Sequence, residues 1–179
     1  FDIFPLVKQV ALIYPHLLKL DILNDYGKPS LSLLNVAQQN GVALNAEDAH
    51  DAMNDIRATI GVAQLIMQGA PELWNHALEN MSSAAAAGAY MSSTPVFTYT
   101  DSMYARNDTV AATDLGGSVD GRRRVIFDLS FDPAAYRDLS VEELARVLRR
   151  NFDRNNSQGL PMRLVWVDEQ PPVNPVGLC

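Results

Sequence analysis

The chain has a single cysteine, Cys179, at its last position, which excludes an internal disulfide framework and a cysteine-based zinc site. No apolar run approaches the roughly 20 residues that span a bilayer. The first ten residues lack the basic start and small-residue cleavage site of a signal peptide, so a cytoplasmic setting is the default expectation. Histidine is scarce, at three residues, and lysine is missing from residues 95–179, where all ten basic side chains are arginine. Arginine is the side chain whose planar fork suits phosphate best.

What is present is globular in type. Hydrophobic residues make up 47% and charged residues 20% of the 179, which fits one large domain or two small ones. The net charge of −7 argues against a surface that attracts nucleic acid everywhere. The charge is uneven: residues 1–94 hold four basic against nine acidic side chains, and residues 95–179 hold ten against twelve. The chain starts at Phe1 and stops at Cys179 after a turn-rich stretch, and both ends are expected to be cuts within a longer protein.

Along the chain, Asp2 is placed to cap a first helix with Pro5 in its first turn and Phe4, Val7, Val10 and Ala11 on one face. Residues 24–29 read as a turn, after which Ser30 is positioned to cap a second helix carrying Leu33, Leu34 and Ala37, ended by Asn40 and Gly41. From His50 to Met67, the spacing of Met53, Ile56, Ile60, Ala63 and Met67 predicts a third helix with that face against a core. An amphipathic piece follows over Pro71 to Leu78. Residues 81–94 are the expected domain boundary, as a linker or a packed small-residue helix.

Beyond Pro95 the preferences change. The runs Val96–Thr100, Val125–Leu129 and Leu164–Val167 are rich in β-branched and aromatic residues, as strands require, and Asp120 with Gly121 suits a hairpin turn. Ser140 and Glu143 form a capping box at the start of a helix over Val141–Arg150. The fold class expected is α+β, with helices over residues 1–80, a linker over 81–94, and a β domain with one inserted helix over 95–179.

The stretch most suggestive of chemistry is His50 to Asp55. Five residues is about 140° of helical rotation, so the two side chains converge only if His50 sits on the loop before the helix. A two-metal nuclease uses such a pair, with a carboxylate on the metal and a histidine at the rim taking a proton from the attacking water. Ordinary capping by His50 or Asp51, with Asp55 solvated, fits the same residues, and chance alone gives this spacing in such a composition roughly one time in four.

The wider context resembles a known family. Lys28-Pro29-Ser30-Leu31-Ser32-Leu33-Leu34-Asn35, then Asn40-Gly41, then Asp48-Ala49-His50-Asp51-Ala52-Met53-Asn54-Asp55 with Thr59 are similar to the third exonuclease motif of the exonuclease I family and its approach. This family belongs to the 3′→5′ exodeoxyribonucleases named for four acidic residues and a histidine. The resemblance continues through Ser102-Met103-Tyr104-Ala105-Arg106 to Thr109, through Val125–Leu129 followed by Leu139–Leu144, and through Pro161–Val165 followed by Pro171-Pro172-Val173. It covers nearly the entire chain in the right order.

The resemblance implies the C-terminal, mostly helical portion of an RNase H-like exonuclease domain followed by an SH3-like β domain. It implies single-stranded DNA as substrate, release of 5′-mononucleotides, and two Mg²⁺ ions as cofactors. His50 takes the general-base position and Asp55 the last metal-ligand position, while Tyr104 and Arg106 are candidates for the groove that tracks the strand, since an aromatic face stacks on any base and arginine holds phosphate. Packing of Tyr104 in a core is the alternative. Single-strand-binding protein is a partner that members of the family engage.

The departures carry their own expectations. No Asp-x-Glu, the family's first motif, occurs anywhere in the chain, so one of four metal-binding carboxylates is present and the isolated chain is expected to be inactive. Ser32 stands where the family has a basic residue that contacts substrate. Asp108 stands where a smaller polar residue or glycine is usual, which puts the backbone contact of that loop in doubt. Arg122, Arg123 and Arg124 read as a solvated hairpin tip, His16 and His76 as surface or capping residues, and Trp74 and Trp166 as core. Other readings are a DNA- or protein-binding module derived from such a nuclease, or a homologue inactivated by mutation and kept as a scaffold. Because residues 1–80 contain no convincing sheet, their apolar faces are expected to pack on the β domain or on a second copy of the chain.

Overall fold

A computed structural model of the chain describes residues 2–24, 27–43, 52–101, 108–153, 159–169 and 171–178. It is a mixture of helices and one antiparallel sheet, and it divides into two compact units, Phe1–Asn75 and His76–Cys179.

The first unit is helical: α1 (Phe4–Ile13), α2 (Leu33–Gln39), α3 (Ala52–Gly69) and the start of α4 (Pro71–Asn80). Asp2 accepts the Phe4 amide at 2.9 Å, and Pro5 occupies the first turn, where its missing N–H costs no hydrogen bond. The buried face of α1 is Leu6, Val7 and Val10, while Phe4 is exposed under the Lys8 ammonium. The cap of α2 is Ser32, not Ser30: its side chain accepts the Asn35 amide, and Ser30 instead takes a hydrogen bond from the Asn35 side chain at 2.8 Å. The buried residues there are Val36 and Ala37.

Helix α3 corrects the expected core face. Asn54, Ala58, Val62 and Ile66, four apart, are buried, whereas Met53, Ile56, Ile60 and Met67 are 52%, 50%, 52% and 42% exposed. The helix is apolar on two sides, and periodicity cannot say which side meets α1 and α2. Gly61 marks the packed side: a Cβ there would lie 2.5 Å from a methyl of Val42, just beyond α2, so a larger residue would displace that side chain.

The second unit is a five-stranded sheet: β1 (Phe97–Asp101), β2 (Asp108–Gly117), β3 (Arg123–Asp128), β4 (Met162–Trp166) and β5 (Val173–Pro175), in the order β4-β3-β2-β1-β5. Strands β2 and β5 carry little β-propensity in their sequences; pairing on both sides of β2 overrides its alanines and glycines. Gly121, with φ of 70°, makes the β2–β3 turn as its sequence suggests. Residues 81–94 hold helix α5 (Ala84–Ser93), capped by Ser83. Ala87 and Met91 of α5 join Phe97, Tyr99, Ala112, Ile126, Val165 and Val173 in one buried cluster. Its small residues replace the usual apolar stripe because a helix lying close on a sheet needs little side-chain bulk.

Two helices follow β3: α6 (Ala134–Arg137) and α7 (Val141–Arg149). The capping box of α7 is formed, with Ser140 N–H donating to Glu143 at 2.8 Å and the Glu143 amide to Ser140 Oγ at 3.3 Å. Both edges of the sheet are closed by side chains. Asn151 donates to the Met162 carbonyl and accepts the Leu164 amide on β4, and His76 of α4 bonds the Val173 carbonyl on β5. Capping free edge groups in this way prevents pairing with another strand.

Candidate functional site

Asp55 lies in the first turn of α3 and is exposed. There it favours the positive end of the helix dipole, and its carbonyl accepts the Thr59 hydroxyl at 2.8 Å. His50 lies outside the described residues, so its approach to Asp55 is not on view. Among the described residues no three His, Cys, Asp or Glu side chains are grouped to hold a metal ion. Two divalent cations need several carboxylates, so the described residues do not by themselves fit a pair of Mg²⁺ ions. On the flank of α3 an open groove of about 440 Å³ is lined by Val42, Arg57, Ile60, Gln64 and Gln68; Asp55 is not part of it.

Ser32, expected at a substrate-contacting position, is exposed, and its hydroxyl accepts the Asn35 amide at 3.4 Å as the cap of α2.

Tyr104 and Arg106 lie outside the described residues. The two residues at the ends of their segment are described: Asp101 closes β1 and Asp108 opens β2, directly paired in the ladder. Both carboxylates converge on Arg163 of β4, which is 1% exposed. Asp108 takes both ends of the guanidinium fork at 2.8 Å, Asp128 of β3 accepts at 3.0 Å and Asp101 at 3.4 Å. From β4, Arg163 reaches acids on β3, β2 and β1 along the buried face of the sheet. Burial works against the charge on Arg163, but the hydrogen bonds and charges of Asp108, Asp128 and Asp101 outweigh it and raise the guanidinium pKa above its ordinary value. Asp108 is thus a partner in an ion network. The sequence signal for Arg163 was an arginine at an inward position of the otherwise apolar strand Met162–Trp166.

Each arginine of the run has an acidic partner. Arg122 bonds Asp168 at 2.8 Å, Arg123 meets Asp120 at 3.3 Å and lies over the Trp166 ring, and Arg124 forks onto Asp114 in a largely buried pair. Only the Arg122 side chain is more than half exposed. The expected solvated tip is instead three acid–arginine pairs flanking the turn. Trp166 and Trp74 are half-buried.

His76 also departs from expectation: it is 8% exposed, with Nε2 2.8 Å from the Val173 carbonyl and Nδ1 3.1 Å from the Asn80 amide, edge-on to Tyr90. A carbonyl only accepts, so Nε2 carries the proton and Nδ1 receives the Asn80 N–H. Burial lowers the imidazole pKa against the Val173 hydrogen bond and the Glu79 charge. His16 is on the surface, as expected. Among the described residues no helix is long and apolar enough to cross a membrane.

Comparison with known proteins places this geometry. No family model matches the chain. Exodeoxyribonuclease I of Haemophilus influenzae is 40% identical over 57 residues, which are 32% of this chain and 12% of that protein. Exonuclease I from Methylocaldum szegediense superposes with a TM-score of 0.75 at 24% identity, covering 99% of this chain and 38% of that one. E. coli exonuclease I in complex with a dA16 oligonucleotide gives 0.74 at 21% identity, with 99% and 38% coverage. A complex of exonuclease I with the C-terminus of single-strand-binding protein gives 0.74 at 20% identity, with the same coverage. The chain thus spans 38% of the length of the solved structures it matches.

Proposed function

We propose that this chain, exonuclease I-like in fold over 99% of its length and in sequence over 57 residues, is part of a 3′→5′ exodeoxyribonuclease that acts on single-stranded DNA and releases 5′-mononucleotides. The observation that carries the reading is co-linearity. The run Asp48–Asp55 leads into α3, and the five-stranded sheet follows it in one chain, in the order that the exonuclease I fold has.

On this reading residues 1–80 are the C-terminal part of an RNase H-like domain, residues 81–94 join it to the next, and residues 95–179 are an SH3-like β domain. The meander from β1 to β4 with β5 returning beside β1 supports the last assignment. His50 is the general base and Asp55 a metal ligand; the exposure of Asp55 in the first turn of α3 supports its role. Tyr104 and Arg106 hold the strand. When bound, divalent metal ions would supply the activated water; this chain contributes one of their ligands, so alone it binds single-stranded DNA without cutting it. The fold likeness to a chain solved with the C-terminus of single-strand-binding protein makes that protein a partner to test.

A second reading is a binding module without chemistry. One experiment separates the two: release of nucleotides from 3′-labelled single-stranded DNA with Mg²⁺, by this chain and by the full-length protein that carries it. The nuclease reading expects activity in the full-length protein, its loss in Asp55→Ala and His50→Ala, and binding alone in the 179-residue chain. Activity that survives Asp55→Ala in the full-length protein would overturn the assignment of Asp55, and no activity in any form would leave the binding module as the reading.

A further inference from the structure

The described arginines of the sheet unit divide into two kinds. Arg122, Arg123, Arg124, Arg137 and Arg163 each hold an aspartate, and Arg150 has a partner as well. Arg146 and Arg149, in the last turn of α7, are exposed and form no ion pair among the described residues. Glu143, three positions before Arg146, is engaged elsewhere, its carboxylate turned back to the Ser140 amide at 2.8 Å. The helix dipole favours cations at this end of α7, which accounts for the charge but not for the ring that follows it.

A single 3₁₀ turn, Arg150–Phe152, continues α7. Residues three apart on a helix are neighbours and nearly eclipse one another in a 3₁₀ turn. Arg146, Arg149 and Phe152 therefore follow one ridge, about 9 Å long at 1.5 Å per residue. Phe152 is 62% exposed, although burial of its ring would be favourable. It is not a loose end. The Asn151 side chain beside it donates to the Leu148 carbonyl at 2.9 Å and the Met162 carbonyl at 3.0 Å, and accepts the Leu164 amide at 3.1 Å. Those bonds tie the turn to β4, so an anchored backbone holds the ring out in water beside two arginines.

We propose that Arg146, Arg149 and Phe152 form a contact for single-stranded DNA: Phe152 stacks on one base and the two guanidinium forks hold the phosphates beside it. An aromatic face accepts any base, and arginine holds phosphate without reading sequence. Neither arginine gives up an ion pair among the described residues when a phosphate arrives. A protein interface buries on the order of 800 Å² on each partner, more than one ring and two arginines on a short helix present, whereas a strand is contacted one nucleotide at a time. Glu142 and Glu143 in the first turn of α7 repel phosphate and confine the contact to the far end of the helix. The inference rests on the reading that the protein acts on single-stranded DNA, and adds to it a contact in the sheet unit.

The test is the affinity of the whole 179-residue chain for a fluorescent oligo-dT, read by anisotropy over a series of salt concentrations. The variants are Phe152→Ala, Phe152→Leu, the pair Arg146→Ala with Arg149→Ala, and Arg122→Ala as an exposed arginine that already holds an acid. Thermal melts establish that each is folded at the assay temperature. Phe152→Ala weakens binding about tenfold, the loss of roughly one stacked base. Phe152→Leu, which keeps the apolar bulk but not the flat ring, weakens it as well. The arginine pair lowers the slope of log affinity against log salt by about 1.4, two phosphates at about 0.7 each for a single strand; a merely structural role would lower affinity and leave the slope. Arg122→Ala changes neither.

If the wild type binds and the folded variants of Phe152 and of the arginine pair bind with the same affinity and the same salt slope, the contact is wrong and the single-strand reading stands. Binding by Phe152→Leu equal to that of the wild type overturns the stacking, and with it the proposal. If Phe152→Ala abolishes self-association in light scattering while DNA affinity is unchanged, the ridge is a protein contact and the inference is overturned in favour of that. If neither this chain nor the full-length protein that carries it binds oligo-dT, the reading beneath the inference fails and the inference with it. Should Phe152→Ala not fold, the salt slope of the arginine pair, at two exposed side chains, decides the question alone.

Discussion

His76 donates from Nε2 to the Val173 carbonyl at 2.8 Å, so an imidazole on α4 closes the outer edge of β5. Burial holds its pKa below the ordinary value, with Glu79 the charged group that opposes the shift and the Tyr90 ring and Asn80 amide as its neutral neighbours. The unfolded chain takes up the proton first, near 6.5. The stability from neutral His76 is therefore fully present above that pH and is lost as pH falls from there through the lower folded value. Thermal melts between pH 8 and pH 5 should show the wild type losing more stability than His76→Gln over the acidic part of the range. Parallel curves would mean that His76 does not titrate in this window.

Ser32 caps α2. Ser32→Ala should lower stability by about 1 kcal/mol in denaturant titrations, whereas Ser32→Asp should retain it. If DNA affinity falls in Ser32→Ala with stability unchanged, the hydroxyl is a strand contact and not a cap.

The arginines beside the β2–β3 turn should differ sharply. Arg124 and Asp114 are 18% and 10% exposed, so Arg124→Ala leaves a nearly buried carboxylate without its partner and should cost about 3 kcal/mol. Arg122→Ala, at a side chain 63% exposed, should leave both the denaturant midpoint and DNA affinity where they were. A large loss of DNA affinity in Arg122→Ala would reassign the turn to the binding surface.

The two sides of α3 make a further contrast. Ile66→Ala removes a fully buried side chain and should cost about 2–4 kcal/mol. Ile56→Lys with Ile60→Lys, at half-exposed positions, should keep the fold and abolish any concentration-dependent self-association of the isolated chain. Light scattering at micromolar concentration checks this; a wild type that is monomeric throughout would remove self-association from the picture.

The starts of α1 and α7 and the β2–β3 turn were legible because their signals are local. Ser140 and Glu143 lie within one turn of each other, and Gly121 answers to its own φ. Strands β1, β3 and β4 were legible from β-branched and aromatic residues, and the resemblance to exonuclease I from short runs kept in order. Strand β2 was not, since Asp108–Gly117 contains alanines and glycines that only two flanking strands make extended.

Sequence by itself therefore determined where α1 and α7 begin, that the second half is a sheet, and which family the chain resembles, because each depends on residues close together along the chain. Tertiary structure alone decided which side of α3 is buried, that His76 is an edge cap, and that Asp101, Asp108 and Asp128 meet on Arg163. Those outcomes depend on partners as many as 97 positions apart, and no local preference of α3, His76 or Arg163 names the neighbour that folding brings to it.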